Sequence, residues 1–330
     1  MTVSILIPFY QAQTYLERCA RSVLEQTYPD IEYLFIDDAC TDGSVFLLER
    51  TLEDYPHRKE QVRILRNERN LGLARCRNLA VQECTGSFLF WVDADDWISP
   101  ADAIRQLADK QRQTGADIVS ASAVRVHQDR QEDFPISSHA SQKDTLLGFL
   151  DHTVAWAIWG RLIRVSLYRD HGIGCLEGID YNEDFQVAPR LFYFADTVSE
   201  ADTAVYHYFE GDPLSYTERS RIDPRIRLKR WQQNLASTRF LREFFRDKLP
   251  EADPINEKHI VHYLVLIIHE STRVGDKPAF LEAMEQLKRC DKDIAPAIAK
   301  SLWTFARLAP SLCWYLKRLC CRLSDPQFIQ

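Results

Sequence analysis

Four short apolar runs, at residues 3–7, 33–36, 62–65 and 88–92, are each nearly continuous rather than alternating, and helical patterns separate them. A strand covered on both faces has no polar side, so runs of this kind mark a parallel sheet under helices, whereas a sheet with one wet face alternates. The intervening segments carry the matching helical period. Tyr15, Leu16, Cys19, Ala20, Val23 and Leu24 recur on one side of a first helix over residues 14–26. A second helix opens after Thr41-Asp42, either of which can cap it, and carries Val45, Leu47, Leu48 and Leu52. The third, residues 73–83, carries Ala74, Cys76, Leu79, Ala80 and Val81. Strand and helix alternating at this spacing predict βαβ units in an α/β, doubly wound, mostly parallel sheet. In such a sheet, ligands gather where strands end in loops at the carboxyl edge.

A further helix follows Ser99-Pro100 and stops at Gly115, ahead of a strand expected at 116–123. Residues 124–141 are polar and read as a loop. Helices near 144–150 and 185–194 flank a region rich in Trp, Gly and acids. Past about residue 221 the character changes, and 225–248, 255–274, 277–290 and 295–323 all read as helix. The expected organisation is therefore an α/β domain over 1–220 and a helical C-terminal domain over 221–330, in keeping with the two domains that 330 residues suggest.

A 45% hydrophobic and 27% charged composition excludes disorder, collagen and coiled coil. Forty-one Lys and Arg against 48 Asp and Glu leave a net charge of −7, so no nucleic-acid partner is expected. The N-terminal residues lack the basic flank and small-residue cleavage site of an export signal. The longest apolar run, 263–268, falls far short of the roughly 20 residues that span a bilayer. Nine cysteines form no metal-type spacing and are expected to stay reduced, in a cytoplasmic protein.

The strand exits carry the chemistry. The first ends Pro8-Phe9-Tyr10, a stiff turn presenting an aromatic ring to a planar base. The second ends Asp37-Asp38, where a carboxylate can accept from a ring N–H; the third runs into Arg66-Asn67 and then Asn70 to Asn78. The fourth ends Asp93-Ala94-Asp95-Asp96. Clustered carboxylates repel one another unless a cation neutralises them, and Mg²⁺ or Mn²⁺ takes one or two carboxylates plus substrate phosphates. Ring platform, acceptor, guanidinium and acid cluster together suit a base, a diphosphate and a divalent metal.

These exits, together with Ser22-Val23-Leu24-Glu25-Gln26-Thr27-Tyr28, Thr41-Asp42-Gly43-Ser44, Trp159-Gly160-Arg161-Leu162-Ile163 and the segment Glu177 to Phe185, resemble the family 2 glycosyltransferases of the GT-A fold, in order and over about residues 1–217. The resemblance implies a Rossmann-like GT-A domain and transfer of a sugar from a nucleotide-sugar, UDP-linked, to a glycan or lipid-linked acceptor in bacterial surface polysaccharide assembly. It implies that Pro8, Tyr10 and Asp38 hold the base, Asp38 meeting the uracil imide. Asn67 would lie near the base or ribose, and Arg77 would help bind the nucleotide. Asp93 would approach ribose and metal, and Asp95 would ligate a divalent metal (Mn or Mg) on the diphosphate. Asp184, with Glu183 beside it, would be the general base. Inversion needs such a carboxylate within about 2.6–3.2 Å of the attacking oxygen, whereas a retaining scheme needs a nucleophile beneath the sugar. As simple helix N-terminal charge, Glu183-Asp184 would also be favourable.

The chain departs from the family pattern at Tyr206-His207-Tyr208-Phe209, where many relatives have Tyr-x-Tyr-Arg; Arg219 or Arg221 are candidates for the missing cation. Residues 294–324 hold Lys300, Arg307, Lys317, Arg318 and Arg322 with Trp303, Phe305, Trp314 and Tyr315 and no acid. A helix of this kind lies on an anionic membrane surface as a peripheral element, packs with its charges in water, or makes an oligomer contact. Two alternatives stand beside the transferase: a sugar-1-phosphate nucleotidyltransferase, whose Gly-rich N-terminal signature is missing, and an inactive nucleotide-binding scaffold subunit. No G-x-G-x-x-G or G-x-x-x-x-G-K-[ST] occurs, which excludes the common dehydrogenase and P-loop signatures.

Overall fold

In the computed structural model, β1 (Val3–Phe9) is buried at every position, and α1 (Leu16–Leu24) buries Leu16, Cys19, Ala20, Val23 and Leu24. β2 (Ile31–Asp37) is likewise buried throughout. α2 (Ser44–Glu53) begins where Asp42 Oδ1 accepts the Ser44 amide at 3.1 Å and its hydroxyl at 2.6 Å. A 3₁₀ turn leads to β3 (Val62–Arg66), followed by α3 (Leu73–Glu83) and β4 (Phe88–Trp91). These four strands are parallel in the order β3-β2-β1-β4, as the continuous apolar runs predict. The chain moves from β1 outward to β2 and β3, then crosses back to β4 on the other side of β1. That reversal opens a crevice at the carboxyl ends of β1 and β4.

β5 (Trp97–Ile98), α4 (Ala103–Thr114), β6 (Ile118–Val126), β7 (Gln131–Phe134), α5 (Gln142–Leu150), β8 (Arg161–Arg164), α6 (Val165–Asp170), α7 (Glu183–Phe194) and β9 (Val198–Phe209) complete the first unit. β8 runs antiparallel to β4 and β6, β9 parallel to β6 and antiparallel to β5. The result is a nine-stranded mixed sheet whose N-terminal half is parallel. Gly115 ends α4 in a left-handed conformation, as expected. The stretch 124–141 is not all loop: β6 continues to Val126 and pairs with β7. Gln131, Glu132 and Asp133 are exposed on that edge, so no apolar pattern announces the strand.

The structure describes residues 1–136, 141–212, 215–290 and Trp314. Contacts divide the chain into two compact units, Met1–Asp212 and Pro213–Gln330. The second holds α8 (Tyr216–Ile222), α9 (Pro224–Phe245), α10 (Ala252–Val274) and α11 (Lys277–Leu287), and the boundary expected after residue 220 falls inside α8. Its core gathers Leu228, Leu235, Val261, Leu264, Ile268, Phe280 and Met284. Asp223 and Asp276 cap α9 and α11 through the Arg225 and Ala279 amides, each with proline in the first turn. The helix expected at 295–323 lies outside the described residues, Trp314 apart. No described helix is long and apolar enough to cross a membrane. Cys19, Cys40, Cys76, Cys84, Cys175 and Cys290 are free thiols.

Candidate active site

The residues singled out at the strand exits lie at the carboxyl ends of β1 to β4 and in the loops that follow them. Pro8 is buried in β1 opposite Ile36, and Tyr10, just past the strand, is 52% exposed. Asp38 is buried and already well bonded. Its Oδ1 accepts from Asn67 Nδ2 and the Leu71 amide, both at 2.8 Å, and Oδ2 accepts from the Gly72 amide at 2.9 Å. The Cys76 thiol adds a hydrogen bond to the same carboxylate. Asn67, expected at the base or ribose, thus orients Asp38, and its amide also donates to Cys76 Sγ at 3.4 Å.

The loop into α3 is shaped by Gly72. It has φ +89°, and a side chain there would meet the Asp180 carboxylate at 2.6 Å. That carboxylate accepts the Ala74 amide at 3.1 Å, at the start of α3. Only glycine combines the left-handed backbone with so close an approach.

Arg77, on α3, is 2% exposed and lies at the centre of an acid cluster drawn from distant segments. Its Nη2 sits 3.1 Å from Asp93 Oδ1, 3.0 Å from Glu183 Oε1 and 3.4 Å from Asp184 Oδ1, and its guanidinium lies 5.1 Å over Trp91. Glu183 and Asp184 open α7, so both begin a helix and face this cation. Burial pushes Glu183 up to about 8 against the pull of Arg77, with Asp184 adding to the rise. Burial raises Asp184 as well, offset by Arg77 and reinforced by Asp93. Asp184 Oδ2 accepts the Ile158 amide at 3.2 Å, while Oδ1 accepts no hydrogen bond among the described residues. The loop that presents Ile158 is anchored by buried Arg161, which donates to the Ala155 and Ala157 carbonyls at 3.0 and 3.3 Å.

The turn after β4 is held from behind. Tyr206 on β9 accepts the Asp93 amide at 3.0 Å and donates to Asp96 Oδ2 at 2.7 Å; Asp96 Oδ1 accepts the Phe209 amide at 2.7 Å. Trp159 stacks on Tyr206 at 4.5 Å. Asp95 differs from Asp93 in having no ion pair to its carboxylate among the described residues. Burial, then the Asp93 charge, pushes it up to about 7. Arg18 from α1 approaches the same residue but donates to its main-chain carbonyl at 2.6 Å. Among the described residues no three His, Cys, Asp or Glu side chains form a closed metal cage. An under-compensated carboxylate beside Asp93 fits instead a Mg²⁺ or Mn²⁺ ion completed by substrate phosphates and water.

The sequence presents Asp96 only as part of the fourth strand exit, Tyr206 only as part of the Tyr206–Phe209 segment, and Arg18 not at all, because β9 and α1 bring Tyr206 and Arg18 to this turn only in the fold.

Residues 4–172, half of the chain, match the glycosyl transferase family 2 profile. The chain belongs to that family. This family 2 chain is 30% identical over 223 residues to the uncharacterized glycosyltransferase EpsJ of Bacillus subtilis, a match covering 66% of this chain and 63% of EpsJ. It is 34% identical over 110 residues to Escherichia coli chondroitin synthase, covering 33% of this chain and 15% of that one. Among solved structures, Staphylococcus aureus TarS 1–349 in complex with UDP-GlcNAc superposes with a TM-score of 0.68 at 16% identity, over 98% of this chain and 93% of that one. A mannosyltransferase from Pyrobaculum calidifontis in complex with GDP-Man and Mn²⁺ gives 0.53 at 17% identity, over 97% and 84%. The fold is that of GT-A glycosyltransferases. Family membership favours transfer over the nucleotidyltransferase alternative.

Proposed function

We propose that this family 2 chain is an inverting, metal-dependent glycosyltransferase. It moves a sugar from a UDP-sugar to a hydroxyl of a glycan or lipid-linked acceptor in polysaccharide, lipopolysaccharide or capsule synthesis. One observation carries the reading: Arg77 Nη2 gathers Asp93 of the acid motif and Glu183-Asp184 of α7 into one cluster. That clustering supports a site in which metal-side and base-side carboxylates from separate segments act together.

Pro8 and Tyr10 offer the base a platform, and the Asp38 carboxylate is the acceptor for an imide N–H. Asp93 and Asp95 would hold a divalent cation, which when bound supplies positive charge to the leaving diphosphate. Asp184 accepts the proton of the acceptor hydroxyl as that oxygen attacks the anomeric carbon. The glycosyl–phosphate bond breaks on the opposite face, its electron pair leaving with the diphosphate. Asp184 suits the base role better than Glu183, because its side chain is the more open, 13% exposed against 8%. The fold shared with TarS, solved with UDP-GlcNAc, supports a uridine donor.

A donor panel scored for nucleoside diphosphate release, with and without EDTA, tests the reading. Turnover should need the metal. Asp95→Ala should lose about 10³-fold in kcat, and Asp184→Asn about 10²–10⁴-fold while still binding donor. Full turnover by Asp184→Asn would remove it as the base.

A further inference from the structure

The turn at Asp93–Asp95 holds more negative charge than Arg77 can balance. Asp93, Asp95 and Asp96 fall within four residues, and of these only Asp93 pairs with Arg77 among the described residues. Arg77 has only 3% of its side chain exposed and is shared among Asp93, Glu183 and Asp184. A nucleoside diphosphate brought to this turn by a divalent cation therefore needs a further positive group that is not already committed to acids.

Arg18 meets that need. It is exposed on the first turns of α1, and no described carboxylate forms an ion pair with it. Its Nη2 donates to the Asp95 main-chain carbonyl at 2.6 Å, which leaves the Asp95 carboxylate to a metal. The guanidinium lies 3.9 Å over the Trp97 ring, 5.0 Å over Phe209 and 5.9 Å over Tyr15. Trp97 is itself stacked on His207 at 5.0 Å. A guanidinium is a rigid fork of five N–H donors, so pinning its plane on aromatic rings and fixing one nitrogen sets the direction of the rest.

We infer that Arg18 is the diphosphate-binding cation of this site, offering its remaining N–H groups to the phosphates of the nucleotide held at the Asp93–Asp95 turn. It serves where the family pattern has an arginine at the position of Phe209: the ring that replaces that arginine supports a guanidinium arriving from α1. Arg221, one of the two candidates read from the sequence, pairs with Glu218 on α8. The inference rests on the reading above that the turn binds a nucleoside diphosphate.

The experiment titrates the full chain with UDP and GDP in Mn²⁺, and with the matching nucleosides, for wild type, Arg18→Ala and Arg18→Lys. Charged hydrogen bonds of this kind correspond to a loss on the order of 10–100-fold. Arg18→Ala should lose that much diphosphate affinity and none for the nucleoside; Arg18→Lys, which keeps the charge but not the fork, should fall between. Unchanged diphosphate affinity in Arg18→Ala, or an equal loss for diphosphate and nucleoside, overturns the role. A wild type that binds neither diphosphate overturns the function reading itself and this inference with it.

Discussion

Three acids meet one nitrogen of Arg77, so the charge state of each depends on the others. Burial raises both Glu183 and Asp184, with the Asp184 charge adding to the first and the Asp93 charge to the second, and a general base must be deprotonated to act. Activity should therefore be present at high pH and lost as pH falls through a folded Asp184 value that lies above the usual carboxylate range. Glu183→Gln removes one like charge, which lowers the pKa of Asp184 and should move the acid limb of kcat to lower pH. A limb that stays in place in that variant would separate the two carboxylates. At this scale the sequence was legible where motifs are contiguous: Asp93-Ala94-Asp95 and Glu183-Asp184 announce themselves as acid pairs. Their cation did not. The resemblance implies only that Arg77 helps bind the nucleotide, yet its partners come from the exit of β4 and the start of α7.

Asp117 shows how elements are tied behind the site. Its carboxylate accepts Arg164 Nε at 2.6 Å and the Asp196 and Thr197 amides at 2.9 and 3.2 Å, joining the start of β6, the end of β8 and the turn into β9. Burial opposes ionisation, but these hydrogen bonds outweigh it and hold the group below its ordinary value. The stabilisation is therefore present above the unfolded value of about 3.9 and is lost as pH falls through the lower folded value. Asp117→Ala should cost about 1–3 kcal/mol at neutral pH. Urea unfolding should show that gap narrowing in acid below the carboxylate range; a gap of constant size would deny the ionised contact its role. Of the parallel strands, β1, β2 and β4 were legible because both their faces are buried, while β3 at the edge of the sheet is only partly buried. β7 and β9 were not, since one is exposed and the other mixes buried with half-exposed positions, leaving no periodic apolar signal.

For the whole molecule, the basic, aromatic segment 294–324 is the sequence feature that bears on where the enzyme works. We propose that it docks on an anionic membrane surface, where lipid-linked acceptors reside. Full-length protein should co-sediment with anionic vesicles, and a truncation before Ile294 should lose most of that binding; equal binding by both would clear the segment of the role. Alternation of apolar runs with helical periods was enough to determine the parallel half-sheet, the edge at which ligands gather and the acids waiting there, because burial and helix period are written locally along the chain. Only the tertiary structure decided which groups meet: Arg77 among its three acids, Tyr206 behind Asp93, Arg18 over Phe209. Those contacts join residues far apart in sequence, and their geometry follows from how β4, α7, β9 and α1 pack rather than from any one segment's own preference.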